Sequence, residues 1–229
     1  MTAAAKRLIL GPARAAMPAA STRDRILYAA AELFAQQGFH GTTTREIAAV
    51  VGVRQPSLFH HFTSKRSIAE GLLEWDLGIA LPQVKKIAAL LEPAGVRLYR
   101  YLLYDVGHLS NAPYNLSAMY NEEVIGSPEF ARWASLRDEL HDAVEGIVAD
   151  GVTTGEFIQI PAGLVRQAIA GILVRALTLN SGGRGEGSLL ADQVAWLVVR
   201  GLLVDPGRID EIRVLAAQPP DPTSPYGRP

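Results

Sequence analysis

Residues 22–69 read TRDRILYAAAELFAQQGFHGTTTREIAAVVGVRQPSLFHHFTSKRSIA, and the spacing of their apolar residues decides the fold. Ile26, Leu27, Ala30, Leu33 and Phe34 recur at intervals of three and four, which predicts an amphipathic helix of about four turns. Ser21 or Thr22 supplies its N-cap and Gly38 stops it. After the turn 38–41, Thr43 or Thr44 caps a short second helix with Glu46 in its first turn and Ile47, Ala48 and Val51 facing inward; it ends at Gly52. Gln55-Pro56 opens a third short helix, because the missing N–H of proline costs nothing in a first turn. Leu58, Phe59 and Phe62 are expected to be its buried face. Two short helices joined by a glycine-containing turn make a helix-turn-helix, the second helix exposing Gln55, Ser57, His60 and His61.

Outward from this block the period stays helical and no run of alternating β-branched residues appears, so the chain reads as all-α: an N-terminal three-helix helix-turn-helix domain and a larger helical domain. Proline and glycine at 82, 93, 113, 126–128, 151, 161, 182–183 and 206 mark the joints. The predicted helices run over 67–80, 82–91, 94–109, 116–125, 128–150, 161–179, 188–204 and 209–218. Residues 1–21, rich in Ala, Pro and Arg, read as a flexible arm, 22–66 as the first domain, 67–218 as the second, and the Pro-rich 219–229 as a loose tail.

The 229 residues are 48% hydrophobic and 20% charged, a globular composition that excludes wholesale disorder and a collagen-like rod. Cysteine is absent, which removes disulfide scaffolds, thiolate zinc sites and cysteine nucleophiles together. The strongest apolar stretches, 168–174 and 194–199, are interrupted by Arg175 and Arg200, far short of the roughly 18 residues of a membrane span, and Leu8–Leu10 is too short for a secretory signal; a cytoplasmic protein without membrane attachment is expected. The net charge of −1 hides an asymmetry: residues 1–66 carry nine Lys or Arg against three acids, and the remainder is correspondingly acidic. A basic module on an acidic body points to an anionic partner at one end. No G-x-S-x-G, H-E-x-x-H, phosphate loop or dinucleotide fingerprint is present, so an enzyme is not expected.

The 22–69 block resembles the DNA-binding domain of the TetR family of transcriptional regulators. The resemblance joins A-x-x-L-F-x-x-x-G-F from Ala30, T-T-x-x-E-I-A from Thr42, the turn Gly52-Val53, S-L-F-H-H-F from Ser57, and the entry Ser64-Lys65 to a fourth helix. It implies a dimeric repressor that binds a double-stranded DNA operator and is released when a small-molecule effector binds, without a cofactor. Beyond 69 the chain matches the family only in helicity and length.

Residue by residue, Thr44 and Arg45 open the second helix, where a hydroxyl and amides can meet a phosphate, with simple capping by Thr44 as the alternative. Arg54 and Gln55 stand at the entrance to the recognition helix, where Arg commonly reads guanine and Gln adenine; a phosphate is the other partner open to Arg54. Ser57 adds a hydroxyl on the same helix. By resemblance, His60, His61 and Lys65 contact the DNA backbone; adjacent histidines point about 100° apart on a helix and do not form a zinc site. Phe59 stands where many family members have Tyr. The resemblance implies dimerisation through the helices 161–179 and 188–204, and their nearly unbroken apolar surface agrees with burial on more than one side. A homodimer would suit a palindromic operator. Aromatic and polar groups on otherwise apolar helices nominate Trp75, Tyr104, His108, Met119, Trp133, Arg137 and Arg175 for a largely hydrophobic effector pocket. Two other readings stand beside the repressor: a helical small-molecule carrier without specific DNA binding, and an activator of the same family.

Overall fold

A computed structural model describes residues 21–179 and 187–220 of the chain, with the backbone alone for 175–179 and 187–188. The arm expected over 1–21 therefore lies, but for Ser21, outside the described residues, as do the joint expected at 182–183 and most of the tail 219–229. The described residues are helical, joined by turns, and one antiparallel bridge, Phe157 to Leu203, is the strand-like pairing among them. They form two compact units. One comprises the residues up to Asp76 with Ala112–Ala134, the other Leu77–Asn111 with the residues from Ser135 onward.

In the first unit, α1 (Thr22–Gly41) begins where the Ser21 hydroxyl accepts from the Asp24 N–H, and its regular run breaks at Gly38, whose φ of 78° and ψ of 160° suit only glycine. Thr43 caps α2 (Thr44–Val51) in a full capping box with Glu46, so of the two candidate threonines Thr44 is left as the first helical residue. Gly52, at φ 80°, ends α2, and α3 (Gln55–Phe59) follows with Pro56 in its first turn. Ile26, Leu27, Phe34, Ile47, Leu58 and Phe62 are buried as the period requires. Phe59 is not: it is 42% exposed, because Leu58 already points inward from so short a helix and the next residue is turned about 100° away.

Ser64 caps α4 (Lys65–Ala88), its hydroxyl accepting from the Ser67 N–H. The joint expected at Pro82 is absent. The helix passes through it with the pyrrolidine exposed, on the side where water can serve the carbonyl that loses its partner, while Leu81 and Val84 are buried. The division expected after Arg66 likewise falls inside α4. The helix expected over 116–125 shortens to α6 (Glu122–Ile125), because Asn121 adopts an extended backbone and caps the Glu123 N–H, while Asn115 ties Ser117 into a turn. Phe130, in a 3-10 turn at Pro128–Phe130, meets Phe39 edge to face at 5.4 Å, and Phe39 meets Phe34 at 5.3 Å.

In the second unit, α5 (Ala94–Ser110) packs against α8 (Ala162–Leu179), α9 (Gly187–Leu202) and α10 (Ile209–Ala217). Tyr99, wholly buried, donates to Asp192 Oδ1 at 2.7 Å, and Arg213 of α10 holds both oxygens of the same carboxylate at 3.0 and 2.5 Å. Burial and the Asp192 carboxylate push the Tyr99 hydroxyl well above its ordinary pKa. α7 (Ala131–Thr153) does not stop at Gly151; a Cβ there would strike the Phe157 ring, so this glycine serves a close approach, and the chain turns at Gly155, φ 74°. His141 of α7 lies 3.3 Å from Arg166 of α8 through Nδ1, and Arg166 also pairs with Glu145.

Two outcomes are expected. Leu58→Ala should lower stability by about 2–5 kcal/mol and Phe59→Ala by under about 0.5 kcal/mol, measured by urea denaturation. Burial lowers the His141 pKa below its ordinary 6.5, helped by the Arg166 and Arg137 guanidinium groups and opposed by Asp138 and Asp142. The unfolded chain therefore takes up a proton that the folded chain refuses, and stabilisation present above pH 6.5 is lost as pH falls. Thermal melting between pH 7 and 5 should show a smaller loss for His141→Gln than for the unsubstituted chain.

Candidate nucleic-acid interface and effector residues

The corner formed by α2 and α3 is built by the two caps just described. The capping box fixes the start of α2, lowering the Glu46 pKa through the Thr43 hydroxyl and amide. Gly52 and the Val53 N–H, which donates to the Ala48 carbonyl at 3.0 Å, fix the turn into α3. This geometry leaves Arg45, Arg54, Gln55, Ser57, His60 and His61 exposed, and Thr44 half-buried, on α2, α3 and the residues that flank α3. Phe59 joins them, one helical turn beyond Gln55 on the same face of α3. The Gln55 side chain donates from Nε2 to Thr44 Oγ1 at 3.1 Å, linking the two helices at their first residues. Guanidinium, imidazole, amide and hydroxyl groups disposed this way can bond phosphates and base edges.

Lys65 does not stand with them as a freely offered cation. Its ammonium donates to the carbonyls of Phe39 at 2.6 Å, Thr42 at 2.8 Å and His40 at 3.3 Å, and sits 4.5 Å from the centre of the Phe39 ring. All three protons are thus directed to backbone carbonyls where α1 ends, that of Phe39 also accepting from the Thr42 N–H at 3.3 Å. Burial lowers its pKa, and the Glu129 and Glu46 carboxylates pull the other way. Arg66, by contrast, is exposed and pairs with Glu70 at 3.0 Å.

The nominated effector residues divide between the units. In the first, Met119 and Trp133 are fully enclosed and Trp75 meets Tyr114 edge to face at 5.7 Å. In the second, Tyr104 stacks on His108 with ring centres 5.9 Å apart, and Arg137 pairs with Asp138 at 3.0 Å. Arg175 belongs to α8, but its side chain lies outside the described residues.

Sequence reasoning passed over two buried carboxylates. Asp76, beside Trp75, accepts from the Tyr120 hydroxyl; Asp105, beside Tyr104, accepts from the Tyr101 hydroxyl at 3.2 Å. The signal was available, since each is an acid on the apolar face of its helix, and for Asp105 the tyrosine stands four residues earlier.

Residues 26–72 match the family described as bacterial regulatory proteins, tetR family. Over 138 residues the chain is 30% identical to the HTH-type transcriptional repressor KstR2 of Rhodococcus jostii (strain RHA1), a match covering 59% of this chain and 67% of that repressor. Among solved structures, AmtR of Mycobacterium smegmatis is similar with a TM-score of 0.72 and 27% identity over 89% of this chain and 98% of that one. AibR, solved in complex with isovaleryl coenzyme A and operator DNA, shares the fold at 17% identity, with a TM-score of 0.63 over 80% of this chain and 98% of that one. With a helix-turn-helix assembled from the expected residues and these likenesses in hand, the chain belongs to the TetR family of transcriptional regulators.

Proposed function

We propose that the protein is a dimeric repressor that binds a palindromic operator and releases it when a small, largely hydrophobic effector binds. The observation that carries the DNA end is the exposure of Arg45, Arg54, Gln55, Ser57, His60 and His61 on and beside two short helices whose other faces are buried. Thr44, Arg45, His60 and His61 meet phosphates, and Arg54, Gln55 and Ser57 face the major groove. Lys65 acts indirectly, by holding the end of α1 that leads into α2.

Dimerisation is supported by α8 and α9. On α9, Leu189, Gln193, Trp196, Leu197, Arg200, Gly201 and Val204 just past its end share one exposed stripe, with Leu197 64% and Val204 60% exposed. On α8, Leu164 and Val174 flank the exposed small residues Ala168 and Gly171, which permit close approach of a second helix. The exposed Leu, Trp and Val side chains of these faces are costly in water and are covered when two copies meet. Effector contacts are assigned within the second unit, to Tyr104, His108 and Arg137; the AibR complex with isovaleryl coenzyme A gives a precedent for an acyl-bearing ligand in this fold. A hundredfold loss of operator affinity requires about 2.7 kcal/mol of coupling between the two sites, within reach of one bound molecule.

Selection from a random double-stranded DNA library should enrich a palindrome, with affinity falling steeply as salt rises; enrichment of no motif by a folded dimer would overturn the reading. Leu197→Asp should convert the dimer to a monomer in sedimentation and cut operator affinity at least about tenfold, since each half-site is then held by one head alone.

A further inference from the structure

Resting on the DNA-binding reading above, we infer that Thr44 is a positioning residue for sequence discrimination, and that the Thr44–Gln55 hydrogen bond sets Gln55 to read adenine. The amide of a glutamine reads adenine with two groups at once, its oxygen accepting from N6 and one N–H donating to N7. A long exposed side chain must give up several rotamers to present that pair, and discrimination weakens as the pair is left free to reorient. Here one N–H of Gln55 is held by Thr44 Oγ1 at 3.1 Å, so the second N–H and Oε1 are the groups left to meet a base.

The anchor is itself well fixed. Thr44 is the first helical residue of α2, next to the capping box of Thr43 and Glu46, and it is half-buried. Because its oxygen accepts from Gln55, its own O–H remains to donate, and at this position the acceptor presented by DNA is a phosphate oxygen. One hydroxyl then joins a backbone contact to a base contact, so that the register on the phosphates and the orientation of the reading amide are set together. Phe59, on the same face one turn along α3, supplies apolar surface against which the neighbouring thymine methyl fits.

The test is library selection and competition binding with full-length protein, unsubstituted and carrying Thr44→Val, Thr44→Ser, Gln55→Ala or Thr44→Val with Gln55→Ala, each checked by thermal melting. Gln55→Ala should remove an adenine preference of about tenfold or more at one symmetric pair of operator positions. Thr44→Val should lower that same preference to within about threefold of Gln55→Ala, the double variant should lower it no further, and Thr44→Ser should retain it. The inference is overturned if Thr44→Val weakens binding to every base at that position alike, which is a phosphate contact only, or if Gln55→Ala leaves all preferences intact. If the unsubstituted protein enriches no motif, the DNA-binding reading fails and this inference with it; a motif with the wrong response to Thr44→Val sinks the inference alone.

Discussion

The geometry of the first unit depends on a lysine ammonium enclosed by carbonyl groups. A helix ends with four carbonyls lacking partners, and Gly38 ends the regular part of α1 abruptly while the chain turns back toward α2. Lys65 Nζ collects the carbonyls of Phe39, His40 and Thr42 into one cluster and rests on the Phe39 ring. Partial burial of a cation is unfavourable, as the lowered pKa of Lys65 records, and the carbonyl dipoles offset it. Because Thr42 immediately precedes the capping residue Thr43, this cluster fixes where α2 begins. The position of Thr44, and through it the orientation of Gln55, follows from that start.

The second unit solves a related problem at the opposite end of the chain. Arg100 takes both oxygens of Glu92 at 2.7 and 2.8 Å and also donates to the carbonyls of Leu215, Ala216 and Gln218 at 2.9, 2.9 and 2.6 Å. One guanidinium thereby caps α10 and binds it to the start of α5. Arg213 holds α10 to Asp192 from the other side. The last helix is thus fastened by two arginines, and Asp192 lies on the flank of α9 that faces inward, leaving the Leu189–Val204 stripe uncovered.

The helix-turn-helix was legible because its signals are local. Ser21, Thr43, Gly52 and Pro56 stand where caps, stops and first turns need them, and a period of three to four separates inside from outside. What was not legible depends on contacts distant in sequence. Lys65 reads as an exposed basic residue until the carbonyls 23–26 positions earlier fold against it. Pro82 reads as a helix boundary, yet a proline whose ring faces water interrupts one hydrogen bond without dividing a helix held by buried neighbours. Phe59 reads as core because phenylalanine usually is; only the shortness of α3, with Leu58 and Phe62 already filling the inward side, turns it outward. Asp76 and Asp105 were missed because an acid inside an apolar run is commonly assigned to solvent.

The length of α3 constrains how such a protein can recognise DNA at all. Five residues, with no side-chain cap at their start, can offer base edges only Gln55 and Ser57, besides Arg54 at the entrance. A good bidentate pair discriminates by about 1–3 kcal/mol. Specific regulators typically separate their sites from random DNA by about 4–10 kcal/mol, so one head of this size reaches at best the lower part of that range. Two heads related by a twofold axis double the base contacts and add those of a second set of phosphates without requiring a longer helix. On the proposed dimer, the exposed stripe on α9 and the short recognition helix of the first unit answer one another: the helix supplies half of a reader, and the stripe supplies the surface that would bring the other half.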